Sequence, residues 1–392
     1  MKRKLLTDGV VLSALHMVND GYVACLPLFL PFITQDISIT LSQAGFLGGI
    51  LHFSGVVLAF PAAFLGTYLG SFHTLGYAAI FIFISYMLMF MAKSYVWVLI
   101  AFLVGSLGFG VFHPVAFAAV AKTSKTKLGT QMGNFTANGD IGRIALSALL
   151  TFMIAKLTWG TTALIYSFLP LAAGLLILIP KRYRNEVEPA DTPDKKAHHS
   201  IFVRPTRRLV VLFTAIFTDA FSVASLFLFL PFLFQAKGFD TAIIGSLTGV
   251  FFVGNYLGKM VCGRIVECKG VKKVFLVAEL CLAITVFSLA FTGNIYLLIA
   301  LLIIMGILSK GTVPVLSTFL ADTAKEIEVN IDGIYSLYSV LYNGAETISP
   351  LILGIAAAAW GIEKMFIICA AISFLTFVLG FFLVEPKRDN IS

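Results

Sequence analysis

Long apolar runs separated by short polar turns pattern this chain from end to end. A membrane-spanning helix needs about 20 apolar residues. At that length the runs predict twelve spans: 6–34, 41–69, 74–92, 95–121, 129–156, 160–180, 208–236, 241–266, 271–291, 294–320, 332–358 and 361–384. A transmembrane barrel would instead show short alternating strands. The opening Met1-Lys2-Arg3-Lys4 before an apolar run imitates a signal peptide. That run is too long, contains Asp20 and lacks a small-residue cleavage site. Residues 181–207 are the only long polar stretch, rich in Pro, Lys and Asp, and read as a solvated linker. The expected units are therefore residues 1–180 and 208–392, with six spans each.

Composition agrees with the pattern. With 59% hydrophobic and only 12% charged residues, so much apolar surface does not fit one water-soluble core. Soluble enzymes, disordered chains and secreted disulfide scaffolds are excluded. The five cysteines lie in or beside apolar runs at no metal-ligand spacing, so neither a disulfide framework nor a metal site is expected. The net charge of +8 raises nucleic acid or anionic lipid as partners, but its placement points to topology instead. Lys93, Lys156, Lys237 and Lys364 fall in one set of loops, and Arg143, Lys259 and Lys310 fall inside spans. The other 21 of the 28 basic residues lie on the side of the two termini, which the positive-inside rule makes cytoplasmic.

The two halves repeat. Leu28-Phe29-Leu30-Pro31-Phe32 recurs 200 residues later as Leu228-Phe229-Leu230-Pro231-Phe232. At the same offset Gly45, Leu47 and Gly49 match Gly245, Leu247 and Gly249, and Pro114-Val115 matches Pro314-Val315. Asn138-Gly139 and Asn343-Gly344 correspond at an offset of 205. The glycines at 45, 48, 49, 245 and 249 suit close helix approach.

Parallel six-span repeats around a central polar linker resemble the major facilitator superfamily. Its Gly-rich basic loop is echoed by Gly263-Arg264-Ile265-Val266-Glu267-Cys268-Lys269-Gly270-Val271-Lys272-Lys273. In the first half, Gly66-Thr67-Tyr68-Leu69-Gly70-Ser71-Phe72-His73 keeps the glycine without the acid. Leu15-His16-Met17-Val18-Asn19-Asp20, the run from Gly108 to Pro114, and Phe135-Thr136-Ala137-Asn138-Gly139-Asp140-Ile141-Gly142 are similar to the fosmidomycin-resistance branch of bacterial efflux proteins. The chain departs from that branch at Val115, Asp140 and Arg143. The resemblance implies an all-α polytopic membrane protein with twelve transmembrane helices in two six-helix bundles. It also implies export of a small molecule across a bacterial inner membrane.

Ionisable groups at bilayer depth are costly against lipid and so face a cavity or a partner. Counted along their spans at ~1.5 Å per residue, Asp20, Asp140, Asp219, Lys310 and Glu346 fall near mid-depth. His16, His52, Asn138, Asn255 and Asn343 share that level, with Arg143 slightly beyond it. Asp20, with His16 one turn away on the same face, is the first candidate for a proton-titrating group; Asp219 and Glu346 are the others. Each also has a structural reading, as a hydrogen-bonded strut or one half of a static pair. Asp140 and Arg143 can pair on one helix, and Arg143 is a candidate grip for an anionic substrate. Lys310 is expected to pair with Glu346. His113 reads as a proton relay or a packing histidine. Tyr335, Tyr338 and Tyr342 at helical spacing could line a cavity. Lys259 is expected to snorkel toward the surface, and Glu279 to be structural.

The expected function is a proton-coupled secondary transporter that exports a small organic anion by alternating access. Its alternatives are an importer of an organic anion and a polytopic membrane enzyme acting on lipid. No HExxH, paired-Asp phosphate motif, Ser nucleophile context, Walker sequence or GxGxxG between strand and helix is present. No cofactor is expected, the proton gradient being the energy source. The expected partners are the substrate and the lipid bilayer, without nucleic acid, and the expected form is a monomer.

Overall fold

The computed structural model describes residues 2–34, 36–123, 128–180, 206–326 and 331–385. The linker expected at 181–207 therefore lies outside the described residues, save its last two. Among the described residues there is no strand. The first seven helices are α1 (Lys2–Ile33), α2 (Leu41–Val57), α3 (Ala59–Tyr68), α4 (Ser71–Phe90), α5 (Tyr95–Thr123), α6 (Leu128–Lys156) and α7 (Trp159–Leu178). The remaining six are α8 (Arg207–Ala236), α9 (Thr241–Lys269), α10 (Val271–Phe291), α11 (Ile295–Glu326), α12 (Ile331–Trp360) and α13 (Ile362–Gly380). Ten of them have a described stretch long and apolar enough to cross a membrane. The chain is thus an all-α, membrane-spanning protein.

Helix starts follow local chemistry. Thr40 caps α2 in a reciprocal capping box with Gln43, and Thr158 and Thr206 cap α7 and α8 through their hydroxyls. Gly70 and Gly270, 200 residues apart, turn the chain into α4 and α10 at φ of 85° and 83°, a conformation that suits glycine.

The second expected span, 41–69, forms two helices that meet at Leu58. Pro61 is the cause: it has no N–H to give Val57, and its ring crowds that carbonyl. The corresponding position in the second half is Val261, and α9 runs unbroken there. Residues 263–269, read from the sequence as a loop, are the last turns of α9.

Packing separates the two ends of the molecule. At the end carrying the α1–α2 and α8–α9 turns, one hydrophobic cluster draws on both groups of helices. The repeated pentapeptide is at its centre: Leu28, Phe29 and Leu30 of α1 join Leu228, Phe229 and Leu230 of α8. Gln235 also donates to the Pro31 carbonyl across this seam, at 3.2 Å. Toward the end where α1 begins, there are two separate clusters. Leu12, Leu75, Phe112 and Phe135 belong to one, and Leu212, Phe275, Val315 and Phe319 to the other. The helix groups are joined at one end and parted at the other.

The main crossings between the groups are α2 against α12 and α6 against α9. Both rely on the repeated glycines. A Cβ on Gly45 would strike the Pro350 carbonyl and Gly354, and one on Gly245 would strike the Ser147 carbonyl and Thr151. Without side chains there, the backbones approach closely.

Candidate functional site

A cavity of about 600 Å³ lies between the helix groups and continues toward their parted end. Its walls are mostly apolar, with Phe109 and Phe117 of α5, Phe227 of α8, and Phe251 and Phe252 of α9. Two charged clusters face each other across it.

The first is centred on Asp20 of α1, which is 4% exposed. Its Oδ2 accepts from Arg143 Nη2 of α6 at 2.7 Å. His113 Nε2 of α5 lies 3.2 Å from Oδ1, and His16 Nε2 lies 3.3 Å from Oδ2. Asn19 Nδ2 adds a bond at 3.1 Å. The His16 ring is stacked between Phe112 and Phe135, and its Nδ1 sits 2.7 Å from the Phe135 carbonyl. A carbonyl only accepts, so Nδ1 carries a hydrogen. In a neutral ring Nε2 then presents a lone pair to the Asp20 carboxyl. Only a proton on His16 Nε2 or on Asp20 makes that contact attractive.

Arg143 extends the cluster. Its Nη1 reaches Asp140 Oδ1 at 3.3 Å, and its guanidinium lies over the Phe252 ring of α9. Asp140 is fully buried and also accepts from Lys259 Nζ of α9 at 2.5 Å. The expectation that Lys259 snorkels is thus overturned: its ammonium lies on the cavity wall and ties α9 to α6. Sequence reading missed it, although Lys259 stands one helical turn from Asn255 on the same face, which is the signal that identifies it.

The second cluster is centred on Glu346 of α12. Lys310 Nζ of α11 lies 3.5 Å from one carboxylate oxygen, and His52 Nδ1 of α2 lies 3.3 Å from the other. Lys310 also donates to the Tyr342 hydroxyl at 3.2 Å. Tyr338 and Tyr342 stack on each other and line the cavity. Tyr335 lies on α12, but its side chain is outside the described residues.

Other candidates are placed differently. Asn255 lines the cavity and accepts from Ser309 at 3.2 Å. Asn138 is half-buried on α6 and does not line it. Asn343 donates to the Ser339 carbonyl of its own helix at 2.8 Å and also lies outside the cavity wall. Asp219 is buried away from the cavity, where its Oδ2 accepts from Thr312 at 3.3 Å. His16, Asp20 and His113 come close enough together to suggest a metal site by spacing. Arg143 already supplies a cation to the same carboxylate, and one nitrogen of His16 is committed to Phe135.

The Major Facilitator Superfamily profile matches residues 12–242 and 212–392. An uncharacterized MFS-type transporter of Bacillus subtilis, YwfA, is 26% identical over 72% of this chain and 70% of its own length. The multidrug resistance protein MdtG of Proteus mirabilis is 30% identical over 42% of this chain and 41% of its own. A gallate transporter of Pseudomonas putida is 31% identical over 29% of this chain and 25% of its own. The last two matches therefore span less than half of those relatives. In structure, the nucleoside transporter NupG superposes with a TM-score of 0.82 at 11% identity, covering 96% of this chain and all of that one. A bacterial homolog of the human lysosomal transporter Spinster, inward-facing and occupied, gives 0.74 at 13% identity, covering 96% of both chains. At these identities the structural likeness shows the fold alone, and the branch within the family is left unassigned. The profile match extends over both halves of the repeat, and the chain belongs to the major facilitator superfamily of membrane transporters.

Proposed function

We propose that this chain is a proton-coupled secondary transporter of a small organic anion, working by alternating access. The observation that carries this reading is the Asp20 cluster. There a carboxyl meets two imidazoles and a guanidinium on the cavity wall, and the His16–Asp20 contact needs a proton to be attractive. Arg143 and Lys310, on opposite sides of an aromatic-walled cavity, supply donors suited to a carboxylate or phosphonate.

Charge balance bears on direction. Among the described residues, Arg143, Lys259 and Lys310 face Asp20, Asp140 and Glu346. Those six charges cancel; with the proton of the His16–Asp20 contact this low-dielectric space is net positive, and an added anion restores neutrality. Anion and proton then bind together and move together. The geometry therefore favours uptake of the anion with an inward-moving proton. Export in exchange for protons is the second reading, favoured by the multidrug-resistance names of two relatives. In either case no cofactor takes part.

We place the protein in a bacterial inner membrane as a monomer of two six-span units divided at 181–207. The basic residues on the side of the two termini support cytoplasmic termini, and with them a cavity that opens inward.

Proteoliposomes with an imposed pH gradient and a panel of aromatic and aliphatic acids test the proposal. We expect acid flux that follows the gradient and an Asp20→Asn variant that loses this dependence. Anion accumulation on the alkaline side supports co-transport, and accumulation on the acidic side supports exchange. Flux that ignores the gradient, or normal gradient-driven flux by Asp20→Asn, overturns the proton assignment.

A further inference from the structure

We propose that Asp219 and Glu279 share a proton in a buried site of the last six helices, separate from the substrate cavity. It deepens the proton-coupled reading by adding a second proton site that lies off the substrate path.

Among the described residues, the two acids have no cation in contact. Asp219 on α8 is 2% exposed, and Glu279 on α10 is 0% exposed. Each carboxyl is the other's side-chain partner. Thr312 of α11 donates to Asp219 Oδ2 at 3.3 Å. Among the described residues, no N–H or hydroxyl reaches Asp219 Oδ1 or either oxygen of Glu279. Two full charges at this depth with no cation in contact would repel each other in a medium that screens them poorly. One proton between them turns the repulsion into a charge-assisted O–H···O bond and satisfies the orphaned oxygens.

Among the described residues, the groups besides Glu279 that bear on Asp219 through space are Lys310 on α11 and Glu346, Tyr338 and Tyr342 on α12. Lys310 is the link to the cavity. Its ammonium is held by Glu346 and Tyr342 on the cavity side, while Thr312, two residues on, binds Asp219. Loss of the shared proton leaves a second negative charge near Lys310 and draws its ammonium away from Glu346. Proton release at the buried pair thereby loosens the cation that grips the anion.

The test is pH-difference infrared spectroscopy on the purified protein in lipid, comparing the wild type with Asp219→Asn, Glu279→Gln and the double amide variant. An amide pair keeps the size and mutual hydrogen bonding of the acid pair, so the double variant supplies the measurement where a single variant does not fold. We expect a protonated-carboxyl band that survives Asp20→Asn, shifts in either single variant and vanishes in the double. In proteoliposomes the double variant should still bind the anion but carry fewer protons per anion. A band unchanged in the double variant overturns the proposal, as does one that responds to sodium at constant pH. Failure of the wider proton-coupled reading looks different: flux is then indifferent to the gradient, whatever the spectrum shows.

Discussion

Replacing Lys259 by methionine removes the cation that ties α9 to α6 while keeping most of its apolar stem. At 2.5 Å and an effective dielectric of about 20, Coulomb's law gives the Lys259–Asp140 pair ~6–7 kcal/mol of gross attraction. Desolvation takes back most of it; losing one partner of a buried pair costs ~3–5 kcal/mol. Two features lower that figure. The Lys259 side chain is 28% exposed, so water screens it, and Asp140 keeps its 3.3 Å contact with Arg143. We expect a net loss of ~2 kcal/mol, about thirty-fold in the equilibrium between this arrangement and one in which α6 and α9 part. The assay is a double-mutant cycle of Lys259→Met and Asp140→Asn. Its readout is the distance across the parted end, measured by pulsed electron resonance between spin labels. Each single variant should shift the populations, and the double should shift them by less than the sum. Additivity within ~0.5 kcal/mol refutes the pair as an energetic tie between the two groups of helices.

Further predictions follow from the same geometry. Glu346→Gln leaves Lys310 held by Tyr342 alone; it should weaken the coupling of anion flux to the pH gradient while anion binding, measured by calorimetry, persists. Gly45→Val and Gly245→Val each place a side chain against the backbone of the opposing helix. Either should hold the joined end open, read as increased labelling of a cysteine introduced at Leu228 by an impermeant thiol reagent. Pro61→Val should fuse α2 and α3 into one helix like α9; an interior proline costs ~3 kcal/mol or more in a helix. The variant should therefore melt higher by scanning calorimetry, and an unchanged melting temperature would mean that the break at Leu58 has another cause.

Much of the fold was legible because the bilayer imposes a simple length rule on apolar runs, and because the halves repeat at an offset of 200. The glycines picked out by that repeat are the ones at which the helix groups cross. The break at Leu58 was less visible, since Pro61 interrupts the hydrogen-bond ladder without interrupting hydrophobicity. The site was legible as a set of polar residues at one depth, but depth does not specify which way a side chain faces. Asn138 and Asn343 share the level of the cavity and lie off its wall, whereas Lys259, read from its nearness to a helix end, lies on it.

Asp20 and Asp219 show how sharply facing depends on register. In the repeat, Asp20 corresponds to position 220, which is Ala220; the acid stands one residue earlier. One residue turns a side chain by ~100° about a helix of 3.6 residues per turn. That rotation carries the carboxyl from the cavity wall, where Asp20 meets Arg143 and two histidines, to the interior of its own group, where Asp219 meets Glu279 and Thr312. The symmetry that makes the two helix crossings alike therefore does not extend to the acids. In one half an acid lines the cavity and is balanced by cations; in the other, an acid is sealed from the cavity and faces a second acid. On the proposed proton-coupled reading, two carboxyls at one depth, one on the cavity wall and one hidden from it, answer the same proton gradient at different steps of the cycle. Moving the second acid back into register with Asp219→Ala and Ala220→Asp places a carboxyl on the cavity face of α8. The change should abolish the buried-pair infrared signal and weaken anion binding by adding negative charge to a space whose charges already balance. Tighter anion binding by that variant would show that the register of this acid does not govern its role.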